Sequence, residues 1–266
     1  MQSVIERPKP HVVEIIIYGL LILLLITGTY WRNSVWNSEL ELWTDCVKKS
    51  PNKDRPHNNL GGAYTREKKY EEAIAQFTEA LRINPNYGEA HNNLGNGYAR
   101  QGRYEEAIAQ FTEALRINPY YPEIHNNLGS IYAYQGRYQE AVAQFTEALR
   151  INPNYAEAHN NLGNGYARQG RYQEAIAQFA EALRINPSYA EVHNNLGNAY
   201  TDQRRYQEAI AQFAEALRIN PNYAEAHYNL GIAYLTMGDS NSAFKEYQIL
   251  KKINQGLANK FYGKAK

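Results

Sequence analysis

The sequence predicts an all-α chain of repeated helical hairpins that follows one apolar helix. Two observations predict this fold class: a strict sequence period and an apolar segment at residues 12–31. A fixed period of 34 residues is typical of helical solenoids, in which each repeat packs only on its neighbours. The period is marked by six histidines, each followed by an Asn-Leu-Gly-x-x-Tyr register: His57, His91, His125, His159, His193 and His227.

The first predicted element is a membrane-spanning helix over residues 12–31, after an amino-terminal flank of residues 1–11. Its twenty residues, at about 1.5 Å each, match the ~30 Å hydrocarbon core of a bilayer. Tyr30 and Trp31 fit an interfacial aromatic belt. The alternatives are a cleaved secretory signal, with a small-residue site at 27–29, and a buried helix.

The charges around this segment predict the side on which the repeats lie. Arg7 and Lys9 precede it, whereas Arg32 alone follows closely. By the positive-inside rule, the chain is then a single-pass membrane protein whose repeats are exoplasmic, or periplasmic in a bacterial cell.

The second element, residues 34–53, is interpreted as a half repeat that has only the second helix of a hairpin. Counting back in the 34-residue register places Trp43 where Phe111 stands in a full repeat. A solenoid end needs large side chains on one face, so we expect this helix to cap the stack, with Trp43 buried against Leu60 and Tyr64.

The unit 88–121 shows how each full repeat is built. Helical spacing of apolar residues predicts helix A over 89–100. Gly102 follows as a residue able to adopt the left-handed conformation that ends a helix. Apolar residues at helical spacing predict helix B over 105–118, and Pro119 ends it because a proline disfavours helical geometry in the residue before it.

The same pattern divides the rest of the chain. We expect the array to occupy residues 54–255, with residues 256–266 forming a carboxyl-terminal cap and tail. The predicted units are 54–87, 88–121, 122–155, 156–189, 190–223 and 224–255.

These residues resemble the tetratricopeptide repeat over about three quarters of the chain. The resemblance implies a right-handed superhelix whose concave groove, lined by the A helices, binds protein or extended peptide segments. The last unit departs from the pattern, with Tyr247 in the phenylalanine position and Gln255 in place of the proline. The positions that carry the resemblance in one unit are Leu94, Gly95, Tyr98, Ala107, Phe111, Ala114 and Pro119.

Two columns of asparagines mark the candidate peptide-binding residues. The column that includes Asn93 resembles the asparagine ladder in the repeats of O-GlcNAc transferase. Amides can pair with the backbone of an extended peptide, but they can also hydrogen-bond neighbouring repeats, and both interpretations stay open. The candidate groove residues are Asn58, Asn59, Asn92, Asn93, Asn96, Arg100, Asn126, Asn127, Tyr134, Asn160, Asn161, Asn164, Arg168, Asn194, Asn195, Asn198 and Asn229.

Several function classes are disfavoured by the sequence. The formal net charge is +1 with acids and bases interspersed, which argues against a nucleic-acid partner. Cys46 is the single cysteine, and equivalent histidines lie at least the ~8 to 10 Å of packed helices apart, too far to share a metal ion. No nucleophile–base pair or phosphate loop stands out, so we expect neither an enzyme nor a cofactor.

The junction between the apolar segment and the repeats has a second resemblance. Trp31, Trp36 and Trp43, followed by Lys49-Ser50-Pro51-Asn52-Lys53, resemble the corresponding junction of transmembrane-and-tetratricopeptide O-mannosyltransferases. The primary prediction is a membrane-anchored scaffold for protein or peptide binding. The alternative is an accessory or truncated carboxyl-terminal part of a multi-pass membrane glycosyltransferase, which presents acceptor polypeptides and would have such an enzyme as its partner.

Overall fold

The protein is all-helical over the residues that the structure, a computed structural model, describes: 10–34 and 38–265. These residues form fifteen α-helices and no strand. The helices are α1 (Pro10–Ser34), α2 (Glu39–Lys49), α3 (Asp54–Arg66), α4 (Tyr70–Ile83), α5 (Gly88–Arg100), α6 (Tyr104–Ile117), α7 (Pro122–Tyr134), α8 (Tyr138–Ile151), α9 (Ala156–Arg168), α10 (Tyr172–Ile185), α11 (Ala190–Asp202), α12 (Tyr206–Ile219), α13 (Ala224–Thr236), α14 (Ser240–Ile253) and α15 (Gln255–Ala265).

From α3 to α14 the helices alternate between 13 and 14 residues, one pair in each sequence period. We call the shorter helix of each pair A and the longer one B. Helix A ends where a residue takes a positive φ, as Gly102 does at 75°. The lack of a Cβ makes glycine suited to this left-handed position, yet Lys68 and Arg204 occupy it in two repeats, each with φ 60°.

The chain divides into two compact units, with the boundary between Gln110 and Phe111, inside α6. In the first unit, α2 packs on α3, α3 on α4, and α4 on α5. In the second unit, each helix from α7 to α14 packs on the next, and α15 packs on both α13 and α14. Neighbouring A helices also touch, as α7 and α9 do.

A phenylalanine of helix B packs on a glycine of helix A at the centre of four hairpins. Phe77 is 2% exposed, and its ring lies so close to Gly61 that a Cβ on that glycine would meet it at 2.5 Å. The glycine therefore sets the separation of the two helices. The pairs are Gly61–Phe77, Gly129–Phe145, Gly163–Phe179 and Gly197–Phe213.

In the last hairpin, the space beside the helix A glycine is filled by a ring from α15 and not by one from helix B. A Cβ on Gly231 would lie 2.5 Å from the ring of Phe261, which belongs to α15. Tyr247, the α14 residue at the phenylalanine position, instead stacks on Phe261 with ring centroids 5.9 Å apart. Ala258 and Phe261 are buried, so α15 covers the end of the second unit.

The structure contradicts the predicted membrane span at 12–31. Among the described residues, no helix combines the length and the apolar character that crossing a membrane requires. The predicted single-pass membrane location is therefore wrong. Arg7 and Lys9, on which the predicted orientation rested, lie outside the described residues.

The segment predicted as a half repeat contains helix α2, preceded by Ser38, whose hydroxyl accepts a hydrogen bond from the Glu41 N–H at 3.2 Å. Of the predicted range 34–53, residues 35–37 lie outside the described part of the chain. Trp43 is half-buried rather than buried, because its ring lines an open cavity.

Candidate functional site

The histidine column fixes helix A to the rest of its hairpin. His57 Nε2 lies 2.9 Å from the Pro51 carbonyl, and His57 Nδ1 lies 2.8 Å from Gln76 Oε1 on helix B. The same two contacts recur in the next four repeats. One face of helix A is thus held against helix B, and the asparagines next to each histidine are turned toward the neighbouring repeat or toward solvent.

The first asparagine column consists of Asn58, Asn92, Asn126, Asn160 and Asn194, and all of these except the half-buried Asn92 lie buried between repeats. Asn58 is 1% exposed, and its Nδ2 donates to Glu89 Oε1, 3.1 Å away on the next A helix. Asn126 donates to Glu157 at 3.2 Å, and Asn160 donates to Glu191 at 3.4 Å. These predicted groove residues, with Asn194, hold successive repeats together.

The second asparagine column consists of Asn59, Asn93, Asn127, Asn161, Asn195 and Asn229, which are half-buried. Four of them hydrogen-bond the first column, each through its Nδ2 to an Oδ1 of the repeat before it, at 2.9 to 3.0 Å. An amide has two N–H groups and one carbonyl oxygen, so this bond uses only part of its capacity. The pairs are Asn93 to Asn58, Asn161 to Asn126, Asn195 to Asn160 and Asn229 to Asn194.

The glutamates decide which way the amides point. An ionised carboxylate accepts hydrogen bonds only, so Asn58 must turn its Nδ2 toward Glu89 and its Oδ1 away from it. Asn93 must then turn its Nδ2 toward that Oδ1, as it does at 3.0 Å. The Asn93 carbonyl oxygen is consequently directed to the outer side of the pair.

Three cavities lie along the A helices, and we number them I to III. Cavity I, of about 480 Å³, lies in the first unit between α2, α3 and α5. Among the predicted residues it is lined by Asn58, Asn59, Asn93 and Asn96. Glu39 of α2 and Arg66 of α3 also line it and form an exposed ion pair.

Cavities II and III lie in the second unit. Cavity II, of about 470 Å³, is lined by α7, α8 and α9, with Tyr134 and Asn161 among the predicted residues. Cavity III, of about 630 Å³, is lined by α9, α10 and α11, with Asn195 and Asn198 among them. Asn164 and Arg168 line both cavities.

The other predicted residues line none of these three cavities. Asn126, Asn160 and Asn194 are buried between repeats. Asn92, Asn127 and Asn229 are half-buried, and Arg100 is exposed.

Sequence reasoning missed the glutamates that orient the amides. Glu89, Glu157 and Glu191 each stand two residues after a tyrosine in the first turn of helix A. This recurrence was a usable signal, although the same position also suits a glutamate because of the helix dipole. The hydroxyl of Tyr87 joins the network, since Asn58 Nδ2 lies 3.4 Å from it.

Burial raises the pKa of several titratable groups near this surface, among them Tyr87, Tyr155, Tyr189 and Asp202. Burial first, and then the carboxylates of Glu157 and Glu123, raise the pKa of Tyr155 to about 12, so its hydroxyl stays neutral. Burial also raises the pKa of Asp202, which lines cavity III.

The paired helices and their 34-residue period define a tetratricopeptide-repeat protein, and a tetratricopeptide family model matches residues 200–258. A second model, described as the cilia and flagella-associated protein 70 C-terminal domain, matches residues 37–228. Because the second match covers more than half of the chain, the chain belongs to the tetratricopeptide-repeat family that this second model describes. No match is found among curated protein sequences. The resemblance of the junction to O-mannosyltransferases is not supported by these comparisons and stays a prediction.

Solved structures show the same fold. The APC/C hetero-tetramer Cut9–Hcn1 aligns with a TM-score of 0.73 at 23% identity, over 87% of this chain and 46% of that chain, so the chain spans about half its length. Pseudomonas aeruginosa pilF aligns with a TM-score of 0.70 at 21% identity, over 79% of this chain and 97% of its own. YrrB, described as a tetratricopeptide-repeat protein with an unusual peptide-binding site, aligns with a TM-score of 0.58 at 24% identity, covering 70% and 96%.

Proposed function

We propose that the chain is a scaffold, not an enzyme, that binds an extended polypeptide segment along the second asparagine column of the A helices of its second unit. The observation that carries this proposal is the fixed orientation of the amides. Because Glu157 orients Asn126 and Asn126 orients Asn161, the outer carbonyl oxygen of Asn161 needs no reorganisation when a ligand arrives.

A row of oriented carbonyl oxygens suits the backbone of a peptide. Every residue of an extended peptide except proline offers an N–H group, so binding through the backbone tolerates many side chains. Cavities II and III, beside the column in that unit, leave room for those side chains. YrrB, which shares the fold, is itself described by a peptide-binding site.

Binding can be tested by panning random peptides against the full chain and measuring the affinity of the enriched ones by fluorescence anisotropy. We expect Asn161→Ala with Asn195→Ala to weaken binding about tenfold, since two lost hydrogen bonds contribute roughly 1 kcal/mol each at most. Asn222→Ala, in an exposed turn, is the matched control.

The two alanine substitutions also remove a hydrogen-bond partner of the buried Asn126 and Asn160, so they could weaken binding indirectly. A second measurement therefore changes the peptide and leaves the protein unchanged. Methylating alternate backbone nitrogens of the best peptide removes its N–H donors, and we expect the set that faces the asparagines to abolish binding. Equal affinity of all methylated peptides, or no enriched peptide at all, would refute the proposal.

The alternative function, an accessory part of a membrane glycosyltransferase, rests on the sequence of the junction alone, and Trp36 of that junction lies outside the described residues. Affinity capture with the full chain tests it. Recovery of a glycosyltransferase that depends on residues 31–53 would support this alternative, and its absence would remove the case for it.

A further inference from the structure

Cavities II and III are formed by nearly identical repeats, yet they differ in charge. They share Asn164 and Arg168, which places them side by side along α9. No carboxylate is among the residues that line cavity II, whereas Glu191 and Asp202 line cavity III. The two cavities therefore present opposite electrostatic environments on either side of one arginine.

One aromatic side chain, Tyr134, distinguishes cavity II. Tyr134 is 75% exposed, whereas the other two rings that line the cavity, Tyr138 and Phe145, have equivalents at Tyr172 and Phe179 in cavity III. Tyr134 occupies the position of Arg168 one repeat later, and no other repeat has an aromatic residue at that position. The Tyr134 ring is thus a property of one repeat and not of the repeated pattern. The equivalent residues are Arg66, Arg100, Tyr134, Arg168, Asp202 and Thr236.

The charges in these cavities are not cancelled within the protein. Arginines on the B helices have carboxylate partners, such as Arg184 with Glu181 at 2.7 Å. Arg168 is exposed, and within the described part of the chain it forms no ion pair. Asp202 likewise has no cationic partner there, and burial alone raises its pKa.

From this arrangement we infer that cavities II and III together select a charge-patterned segment of the bound peptide. An acidic residue beside an aromatic one enters cavity II, and a basic residue enters cavity III. The guanidinium of Arg168 binds the carboxylate, the rings of Tyr134 and Tyr138 hold the aromatic side chain, and Glu191 and Asp202 bind the base. This inference rests on the proposed peptide-binding function.

The pattern also has a spacing. Cavities one repeat apart are separated by at least the ~8 to 10 Å of packed helices, and an extended chain advances about 3.3 Å per residue. The acidic and basic residues are therefore expected about three residues apart. A base in cavity II would meet Arg168 and no carboxylate, and an acid in cavity III would meet two carboxylates against one guanidinium, so repulsion disfavours these arrangements.

Labelled synthetic peptides in a Gly-Ser host test the pattern by fluorescence anisotropy with the full chain. One carries Asp-Tyr and, three residues on, Lys, and another has the reverse order, because the peptide direction is not fixed. Three matched peptides carry two acidic residues, two basic residues or two serines at the positions of Asp and Lys. We expect one acid–base peptide to bind at least about tenfold more tightly than the acid–acid and base–base peptides.

Variants assign the preference to residues. Arg168→Gln should remove the preference for Asp over Lys near Tyr, and Asp202→Asn should reduce the preference for Lys. Tyr134→Arg, which restores the residue of other repeats, should remove the preference for Tyr over Ser beside the acid. Arg150→Gln, an exposed arginine of α8 outside both cavities, is the control.

The outcomes separate the two proposals. Equal binding of all charged peptides, or an Arg168→Gln protein that behaves like Arg150→Gln, would overturn the charge pattern while leaving peptide binding intact. If no peptide binds, including the serine peptide, the proposed function fails and the charge pattern with it. Circular dichroism of each variant confirms that it is folded before its affinity is compared.

Discussion

Neighbouring residues of helix A have opposite roles because they lie on different faces. Gly61 lies under the Phe77 ring, whereas an added Cβ on Gly62 would meet nothing within 4 Å. In the same way, Asn58 is buried and hydrogen-bonds Glu89 of the next repeat, whereas its neighbour Asn59 is only half-buried. Residue type alone does not reveal the role; the position on the helix does.

The two glycines allow a matched test. Gly61→Ala should destabilise the first unit by about 1 to 3 kcal/mol, because its Cβ would overlap the Phe77 ring in a filled core. Gly62→Ala should stabilise it by up to about 1 kcal/mol, because alanine favours a helix more than glycine. Urea unfolding midpoints of the two proteins should move in opposite directions. A shift in the same direction for both would contradict the close Gly61–Phe77 contact.

The last histidine differs from the other five because Glu246 replaces the glutamine. His227 Nδ1 lies 2.5 Å from Glu246 Oε2, and Nε2 lies 3.0 Å from the Pro221 carbonyl. Both ring nitrogens therefore face acceptors, which suits the protonated imidazolium. Burial lowers the pKa of His227, but the hydrogen bonds to Glu246 and Pro221 outweigh it, and the net pKa is raised.

A raised pKa in the folded state makes the stability of the last hairpin depend on pH. The contribution of this pair is complete below the unfolded histidine pKa of about 6.5 and is lost as the pH rises through the folded value. Thermal unfolding should thus show a melting temperature that falls as the pH rises above about 6.5. Glu246→Gln recreates the His–Gln pair of the other repeats and should reduce that fall. An unchanged pH profile in this variant would show that other groups cause it.

At the scale of helices and turns, the period of the sequence predicted the hairpins closely. Helix A of the second repeat was predicted over 89–100 and is found at Gly88–Arg100, and helix B was predicted over 105–118 and is found at Tyr104–Ile117. Apolar spacing, a left-handed glycine and a proline stop determine these bounds locally. Such signals lie within one repeat and can be recognised without knowing the packing.

The partners of the site residues were less predictable, because they lie one repeat away. Asn58 and Glu89 are 31 positions apart, and nothing in a single repeat separates a buried asparagine from one in the groove. Both asparagine columns recur in the near-identical repeats, so their recurrence does not show which column packs between repeats and which one binds a ligand. The replacement of the core phenylalanine by Phe261 of α15 also could not be assigned from the hairpin pattern, because α15 belongs to no repeat.

The turns after the A helices provide a test at the same scale. Arg204 adopts φ 60°, which is unfavourable for a residue with a Cβ by roughly 1 to 2 kcal/mol. Arg204→Gly relieves that strain but adds flexibility to the unfolded chain, so we expect a net gain of about 0.5 to 1 kcal/mol. Gly170→Ala, at the same position of the preceding repeat, should lower stability by a similar amount. Urea unfolding measures both, and a less stable Arg204→Gly protein would contradict the prediction.

At the scale of the whole molecule, stability is a sum of neighbouring contacts. Each described helix of the second unit packs on the helices next to it in the stack, and a repeat array unfolds locally for this reason. The last hairpin is a sensitive point, because helix α15 packs on it in place of a further helical hairpin. The ring of Phe261 fills its core, packed against Tyr228 at 6.2 Å and on Tyr247 at 5.9 Å.

Removing that ring should therefore unfold one end and spare the rest. Phe261→Ala is expected to cost about 3 kcal/mol, as truncation of a buried aromatic does, since the side chain is 3% exposed. Hydrogen exchange should accelerate in α13, α14 and α15 and stay unchanged in α7 to α10. Phe244→Ala, which truncates a phenylalanine of α14 that is 58% exposed, should leave both regions protected. A uniform loss of protection from α7 to α15 would show that the second unit unfolds as a single cooperative body, and protection equal to that of the Phe244→Ala protein would show that α15 does not stabilise the last hairpin.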